Sequence, residues 1–158
     1  MSELRLFGNP GAPRTLEQLL AETLPALRRE APAGRRFVIC GYSLAGLFAL
    51  WAATRTDAFA GAVAASPSVW YPGWIGYAAE NPPRATAVYL SLGDREERTR
   101  NPVMATVGEA IRRQHALLEA AGIPAQLDWN PGNHFMDSGK RTAKGIAWLV
   151  RKLTNDLK

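Results

Sequence analysis

The sequence predicts an α/β fold, with about four parallel strands flanked by helices. Three observations lead there. Short apolar runs without polar alternation recur at Phe37–Cys40, Ala62–Ala65, Ala85–Leu92 and Ala125–Trp129. Such runs suit strands buried on both faces of a parallel sheet. Stretches with helical periodicity lie between them, and strands that alternate with helices give a covered parallel sheet. At 158 residues, with 47% hydrophobic and 21% charged residues, the chain suits one domain spanning residues 1–158.

Leu4 to Pro13 is turn-rich, because Gly8, Asn9, Pro10, Gly11 and Pro13 break regular structure. Thr15 opens a helix, with Gln18 completing a capping box. Leu16, Leu19, Leu20, Leu24 and Leu27 share one face of it. Pro25 should kink this helix and Ala33-Gly34 should end it. The strand Phe37–Cys40 follows, and its single cysteine, Cys40, reads as a small core residue.

A helix runs through Leu47–Ala53, then the strand Ala62–Ala65, then a Trp- and Pro-rich loop from Ser68 to Gly76. After the strand Ala85–Leu92, Asn101-Pro102 pairs a cap residue with a first-turn proline. Met104, Val107, Ile111 and Leu118 form the buried stripe of that helix, which Gly122 and Pro124 stop. The strand Ala125–Trp129 leads to a last helix over roughly Arg141–Leu153, with Ile146, Leu149, Val150 and Leu153 inward.

Chemistry concentrates at Gly41-Tyr42-Ser43-Leu44-Ala45-Gly46, between the first strand and its helix. A serine between small residues at a strand-to-helix turn is the nucleophile elbow of an α/β-hydrolase. The turn lifts the serine hydroxyl above the sheet edge, and Gly41 and Ala45 are small enough to permit it. The following helix points free N–H groups at a developing oxyanion, so the N–H of Leu44 is a candidate donor. The bland reading makes Ser43 a helix cap.

The base must come from two histidines. His115 falls mid-helix beside Ile111 and Leu118. His134 follows the last strand in Asn130-Pro131-Gly132-Asn133-His134, at the carboxyl edge where active sites of such sheets lie. The acid should follow the preceding strand, at Gly93-Asp94-Arg95-Glu96-Glu97. Asp94 is nearest the strand end, and Glu96 has the spacing common in esterases. Both stay candidates, Glu96 slightly ahead. Asp128 and Asp137 are weaker, and Asp137 suits a cap of the last helix. A serine–histidine dyad without an acid is the third possibility.

The motifs Gly41-Tyr42-Ser43-Leu44-Ala45-Gly46-Leu47-Phe48-Ala49-Leu50, Ser66-Pro67-Ser68-Val69-Trp70 and Asn133-His134-Phe135 resemble the esterase-D-like putative esterases. That group includes the enterobactin-type siderophore esterases. The resemblance runs from about Leu6 to Leu149. It implies Ser43 as nucleophile, His134 as base, and Glu96 or Asp94 as acid. It implies that Trp70 borders the active site. Tyr42 and Leu44 join it on the oxyanion or substrate side, and Tyr71 and Trp74 are further lining candidates. Arg95, Arg98 and Arg100 suit an anionic group on the substrate.

Many relatives have Gly where this chain has Ala45, and family members usually have several strands before the elbow strand. This chain has about 36 residues there, so it reads as a partial α/β-hydrolase fold, its carboxyl-terminal portion. An upstream loop that supplies the second oxyanion N–H would then be missing, which would impair activity. The strand Phe37–Cys40 becomes an edge. Either Leu4–Phe7 pairs with it, or a second copy covers it in a homo-oligomer, or the chain is truncated.

The expected function is a serine esterase acting on a small-molecule ester. The alternatives are a non-catalytic binding module and an acyltransferase. The net charge of +5 is spread without a basic run or nucleic-acid motif, so nucleic acid is not an expected partner. No apolar run is long enough for a membrane span. The amino terminus lacks a signal-peptide pattern, so the expected location is cytoplasmic. No Cys/His cluster calls for a metal, and no cofactor is expected.

Overall fold

The computed structural model describes residues 11–155. The helical elements before the sheet are α1 (Gly11–Gln18), a π turn (Leu19–Thr23) and α2 (Leu24–Glu30). Then come β1 (Val38–Tyr42), α3 (Leu44–Arg55), β2 (Gly61–Ala65), α4 (Trp74–Glu80) and β3 (Ala87–Gly93). A 3₁₀ turn (Met104–Thr106) leads into α5 (Val107–Ala120), followed by β4 (Ala125–Asn130) and α6 (Ser138–Asn155). The four strands form one sheet in the order β1-β2-β3-β4, all parallel. Their carboxyl ends therefore share one edge, where Tyr42 is level with Ala65 and Gly93 with Asn130.

Each face of the sheet has its own core. Ile39, Ala62, Ala64, Val88 and Leu90 pack with Leu47 and Leu50 of α3 and Ile111 and Leu118 of α5. On the other face Val63, Ala87 and Tyr89 pack with Leu149 and Leu153 of α6. β2 reads Gly-Ala-Val-Ala-Ala and is buried throughout. Its small side chains let helices approach both faces. At Gly61 a Cβ would come within 2.7 Å of Leu149, and at Gly145 within 2.5 Å of Tyr89 and 2.6 Å of Val63. α6 is seated on these two glycines.

Several expectations need correction. Helix already runs through Gly11–Gln18 where the described residues start, so Thr15 does not open it. Gly11 and Pro13 lie within it and do not break it. Thr15 is no cap; its hydroxyl donates to the carbonyl of Gly11 at 2.8 Å. Pro25 is accommodated by the π turn before it, where the N–H of Leu24 reaches the carbonyl of Leu19. Leu27 is 45% exposed rather than on the buried face.

Cys40 is exposed, not a core residue. Among the described residues β1 is an edge strand, and α6 lies mainly over β2 and β3 on the Cys40 side, reaching Val38 of β1. On α6 the buried stripe is Arg141, Gly145, Leu149 and Leu153. Ile146 and Val150, expected inward, are exposed at 38% and 53%. The loop expected over Ser68–Gly76 ends early, because α4 starts at Trp74 after Gly73 takes a left-handed conformation (φ 82°). Trp74 is buried and donates its indole N–H to Gln114 of α5 at 2.7 Å. The suggested pairing of Leu4–Phe7 with β1 lies outside the described residues.

Replacing Gly145 by alanine should overpack the seat of α6 and cost about 1–3 kcal/mol. Urea unfolding of the variant against the parent chain measures this directly.

Candidate active site

Ser43 sits between β1 and α3 with φ 59° and ψ −123°, a strained backbone for a residue with a side chain. Its surroundings fix it there. Its N–H donates to the carbonyl of Ala65, and its carbonyl accepts from Leu47 and Ser68, each at 3.1 Å. A Cβ on Gly41 would run into the carbonyl of Ala45. One on Gly46 would come within 3.1 Å of Gly41 and Pro67. The small residues around the serine are thus a steric requirement of the turn. Leu44 opens α3, where first-turn N–H groups lack helical acceptors.

The hydroxyl of Ser43 lies 3.0 Å from His134 Nε2, and His134 Nδ1 lies 2.7 Å from Glu96 Oε2. A carboxylate only accepts, so Nδ1 carries the proton and Nε2 is left to accept from the serine. His115 stands elsewhere, on α5, with Nδ1 3.5 Å from Glu119.

The two acidic candidates take different positions. Glu96 has a side chain only 4% exposed. Its Oε1 accepts from the Ser66 hydroxyl at 2.6 Å, the Gly93 N–H at 2.7 Å and Arg141 Nη1 at 2.8 Å. Asp94 instead staples the β3 and β4 loops. Its Oδ1 accepts from the Gly132 N–H at 2.8 Å, and its side chain is 56% exposed. Backbone bonds from Asp94 to Asn130 and from Arg95 to Gly132 zip the same two loops. Asp128 is held by Tyr89, Gln126 and Lys144. Asp137 precedes α6 with φ 55°, and its carbonyl accepts from the N–H of Arg141.

Burial alone would raise the Glu96 pKa, and it is the largest single influence. The hydrogen bonds from His134, Ser66 and Gly93, with the charge of His134, outweigh it and hold the carboxyl below its ordinary 4.5.

Sequence reasoning missed two members of this cluster. Ser66 sits after β2 with φ 44°, and its hydroxyl bridges Glu96 and Arg141. Arg141, expected only as the start of the last helix, is 2% exposed. Its place in the i, i+4 series Arg141-Gly145-Leu149-Leu153 was the available signal. Tyr42, expected on the oxyanion or substrate side, turns its phenol under the histidine loop and donates to the His134 carbonyl at 2.7 Å.

A cleft of about 650 Å³ opens over Ser43 and His134. Leu44, Trp70 and Phe135 supply apolar wall, and Arg95, Arg98 and Arg100 supply positive charge. Trp74 is in the core instead. Among the described residues no cluster of His, Cys, Asp and Glu is arranged to hold a metal ion, and no helix is long and apolar enough to cross a membrane.

A parallel sheet with a strained serine after a strand, and a histidine and an acid at the neighbouring strand ends, defines an α/β-hydrolase fold, here present in part. The model of the family described as Putative esterase matches residues 5–138, and the chain belongs to that family. Solved structures agree on the fold. The enterobactin esterase FES from Shigella flexneri, solved with 2,3-di-hydroxy-N-benzoyl-glycine, is 22% identical with a TM-score of 0.69. The match covers 87% of this chain and 38% of FES. The siderophore hydrolase EstA from Aspergillus nidulans is 23% identical with a TM-score of 0.63, over 88% of this chain and 57% of EstA. A ferulic acid esterase is 18% identical with a TM-score of 0.59, over 77% and 55%. No curated protein matches the chain at a significant level.

Lowered pKa values couple stability to pH. Because the Glu96 value falls on folding, its stabilisation is complete above about 4.5 and is lost as pH falls through the lower native value. Urea unfolding between pH 7 and pH 3 should show the parent chain losing stability below that point, and Glu96→Gln losing less.

Proposed function

We propose that the chain is a serine esterase that cleaves a carboxylic ester through an acyl-serine intermediate. The unbroken path from Ser43 Oγ to His134 at 3.0 Å, and from His134 to Glu96 at 2.7 Å, is the observation that carries this reading. His134 Nε2 takes the Ser43 proton as the oxygen attacks the ester carbonyl. Glu96 holds the imidazole tautomer and stabilises the imidazolium. The protonated His134 gives its proton to the departing alcohol. A water deprotonated by His134 then attacks the acyl-serine, and His134 returns that proton to Ser43 Oγ as the acid leaves. Negative charge on the carbonyl oxygen is met by the N–H of Leu44 and the positive end of α3.

An oxyanion hole on this fold takes a second N–H from a loop after an earlier strand. Residues 11–37 contain no strand, so such a loop is not among the described residues. Loss of one donor costs about 10²–10³ in kcat, and we propose slowed turnover wherever that donor is absent. Trp70 and Phe135 suit an aromatic or apolar acyl or alcohol group, and the three arginines suit a negative one. Enterobactin, siderophore and ferulic acid esterases are the named activities of the similar structures.

Among the described residues no strand pairs with the outer edge of β1, which favours a second reading, a non-catalytic binding module that associates through that edge. Exposed Cys40 gives a probe for it. Light scattering of a monomer, with Cys40 open to a thiol reagent, would remove the self-association part.

A fluorophosphonate probe should label Ser43 in the folded chain and fail on Ser43→Ala, with peptide mass spectrometry locating the label. On an activated aryl ester, Glu96→Gln should lower kcat by roughly 10³–10⁴-fold. Asp94→Asn keeps the acceptor for Gly132 and should stay within about threefold, since a surface change of this kind has small effects. Equal losses for both variants would defeat the assignment of Glu96.

A further inference from the structure

We infer that Arg141 is the positioning residue that sets the acid and the base of this site together, an inference that rests on the serine-esterase reading for its catalytic consequence. Its two terminal nitrogens divide the work. Nη1 lies 2.8 Å from Glu96 Oε1, 3.1 Å from the Ser66 hydroxyl and 3.2 Å from the Tyr42 hydroxyl. Nη2 donates to the carbonyls of Pro131 at 3.1 Å and Asn133 at 3.0 Å. One rigid fork therefore grips the carboxylate and the backbone on the amino-terminal side of His134. Tyr42 extends the grip, accepting from Arg141 and donating to the His134 carbonyl.

Three features argue against a purely structural role. Position 141 lies on the inward stripe of α6 that otherwise carries Gly145, Leu149 and Leu153, yet its guanidinium is directed at Glu96, Ser66, Tyr42 and the carbonyls before His134. Taking such a cation out of water is costly. Arg141 also stands in the first turn of α6, the helix end that disfavours a cation. Its Nε is buried without a hydrogen-bond partner among the described residues, a further cost.

What the guanidinium achieves is geometric. Glu96 Oε1 is held by Arg141, Ser66 and Gly93, which leaves Oε2 to face His134 Nδ1. The histidine loop is anchored to the same planar group, so the two side chains cannot drift apart independently. Lysine offers the charge without the fork.

The test uses Arg141→Met and Arg141→Lys in the whole chain. Circular dichroism checks folding. The readouts are kcat and KM on an activated aryl ester, and the low-field proton resonance of His134 Nδ1–H. A misplacement near 1 Å costs about 10²-fold, and that is the expected loss of kcat in Arg141→Met, with KM within about twofold and the resonance shifted or lost. Arg141→Lys should recover part of both. A folded Arg141→Met with kcat within threefold of the parent and an unchanged resonance would overturn the inference. If Arg141→Met does not fold, Arg141→Lys decides by the same two readouts, full retention of both overturning it. The resonance needs no turnover. A parent chain that shows it, but neither hydrolyses the ester nor accepts the fluorophosphonate, would defeat the acyl-serine reading and leave the positioning test standing.

Discussion

A left-handed backbone at Ser43 costs about 1–3 kcal/mol, and the arrangement of this molecule follows from meeting that cost. The conformation survives because β1 and α3 are both anchored. β1 is fixed by its register with β2, and α3 is sunk in the core through Leu47 and Leu50. Between them the chain must reverse within one residue. The close approach of Gly41, Ala45, Gly46 and Pro67 leaves no room for a gentler path. Ser68 and Leu47 then saturate the serine carbonyl, so the backbone is fully bonded and the hydroxyl is left for His134 at the cleft.

Sheet register carries this local constraint outward. Adjacent parallel strands bring the ends of β3 and β4 level, at Gly93 and Asn130. Their loops then interlock through Asp94, Arg95 and Gly132. The difference between Asp94 and Glu96 is one of environment. A carboxylate on the exposed side of the loop is solvated and serves the backbone. The one directed inward must find hydrogen bonds for both oxygens, because burial without them would neutralise it. Glu96 finds four groups among His134, Ser66, Gly93 and Arg141.

Much of this was legible in the sequence. The apolar runs marked the four parallel strands, and the spacing of Ser43 and His134 relative to strand ends brought them to one edge. Glu96 and Asp94 could not be separated from sequence, because loop direction is decided by tertiary contacts with Gly132, Ser66 and Arg141. α4 escaped notice because seven residues beginning after a glycine, and containing Gly76, show no helical period. Cys40, Ile146 and Val150 were misjudged for a shared reason. Apolar patterning identifies candidate faces but not what covers them, and α6 meets β1 at Val38 and Tyr42 while leaving Cys40 exposed. Arg141 was hidden by residue type, since arginine is rarely buried and only its helical phase pointed inward.

The thinness of β2 has a consequence for how such a sequence can change. Gly61 through Ala65 are all at or near complete burial, and the helices rest on them from both sides. No spare volume exists at the middle of the sheet. Enlarging a residue there would have to be matched by shrinking one on the facing helix, as Gly145 already shrinks opposite Val63 and Tyr89. Inherited variation in this layer should therefore arise as matched pairs across the sheet, whereas the exposed faces of α5 and α6 are free to vary one residue at a time.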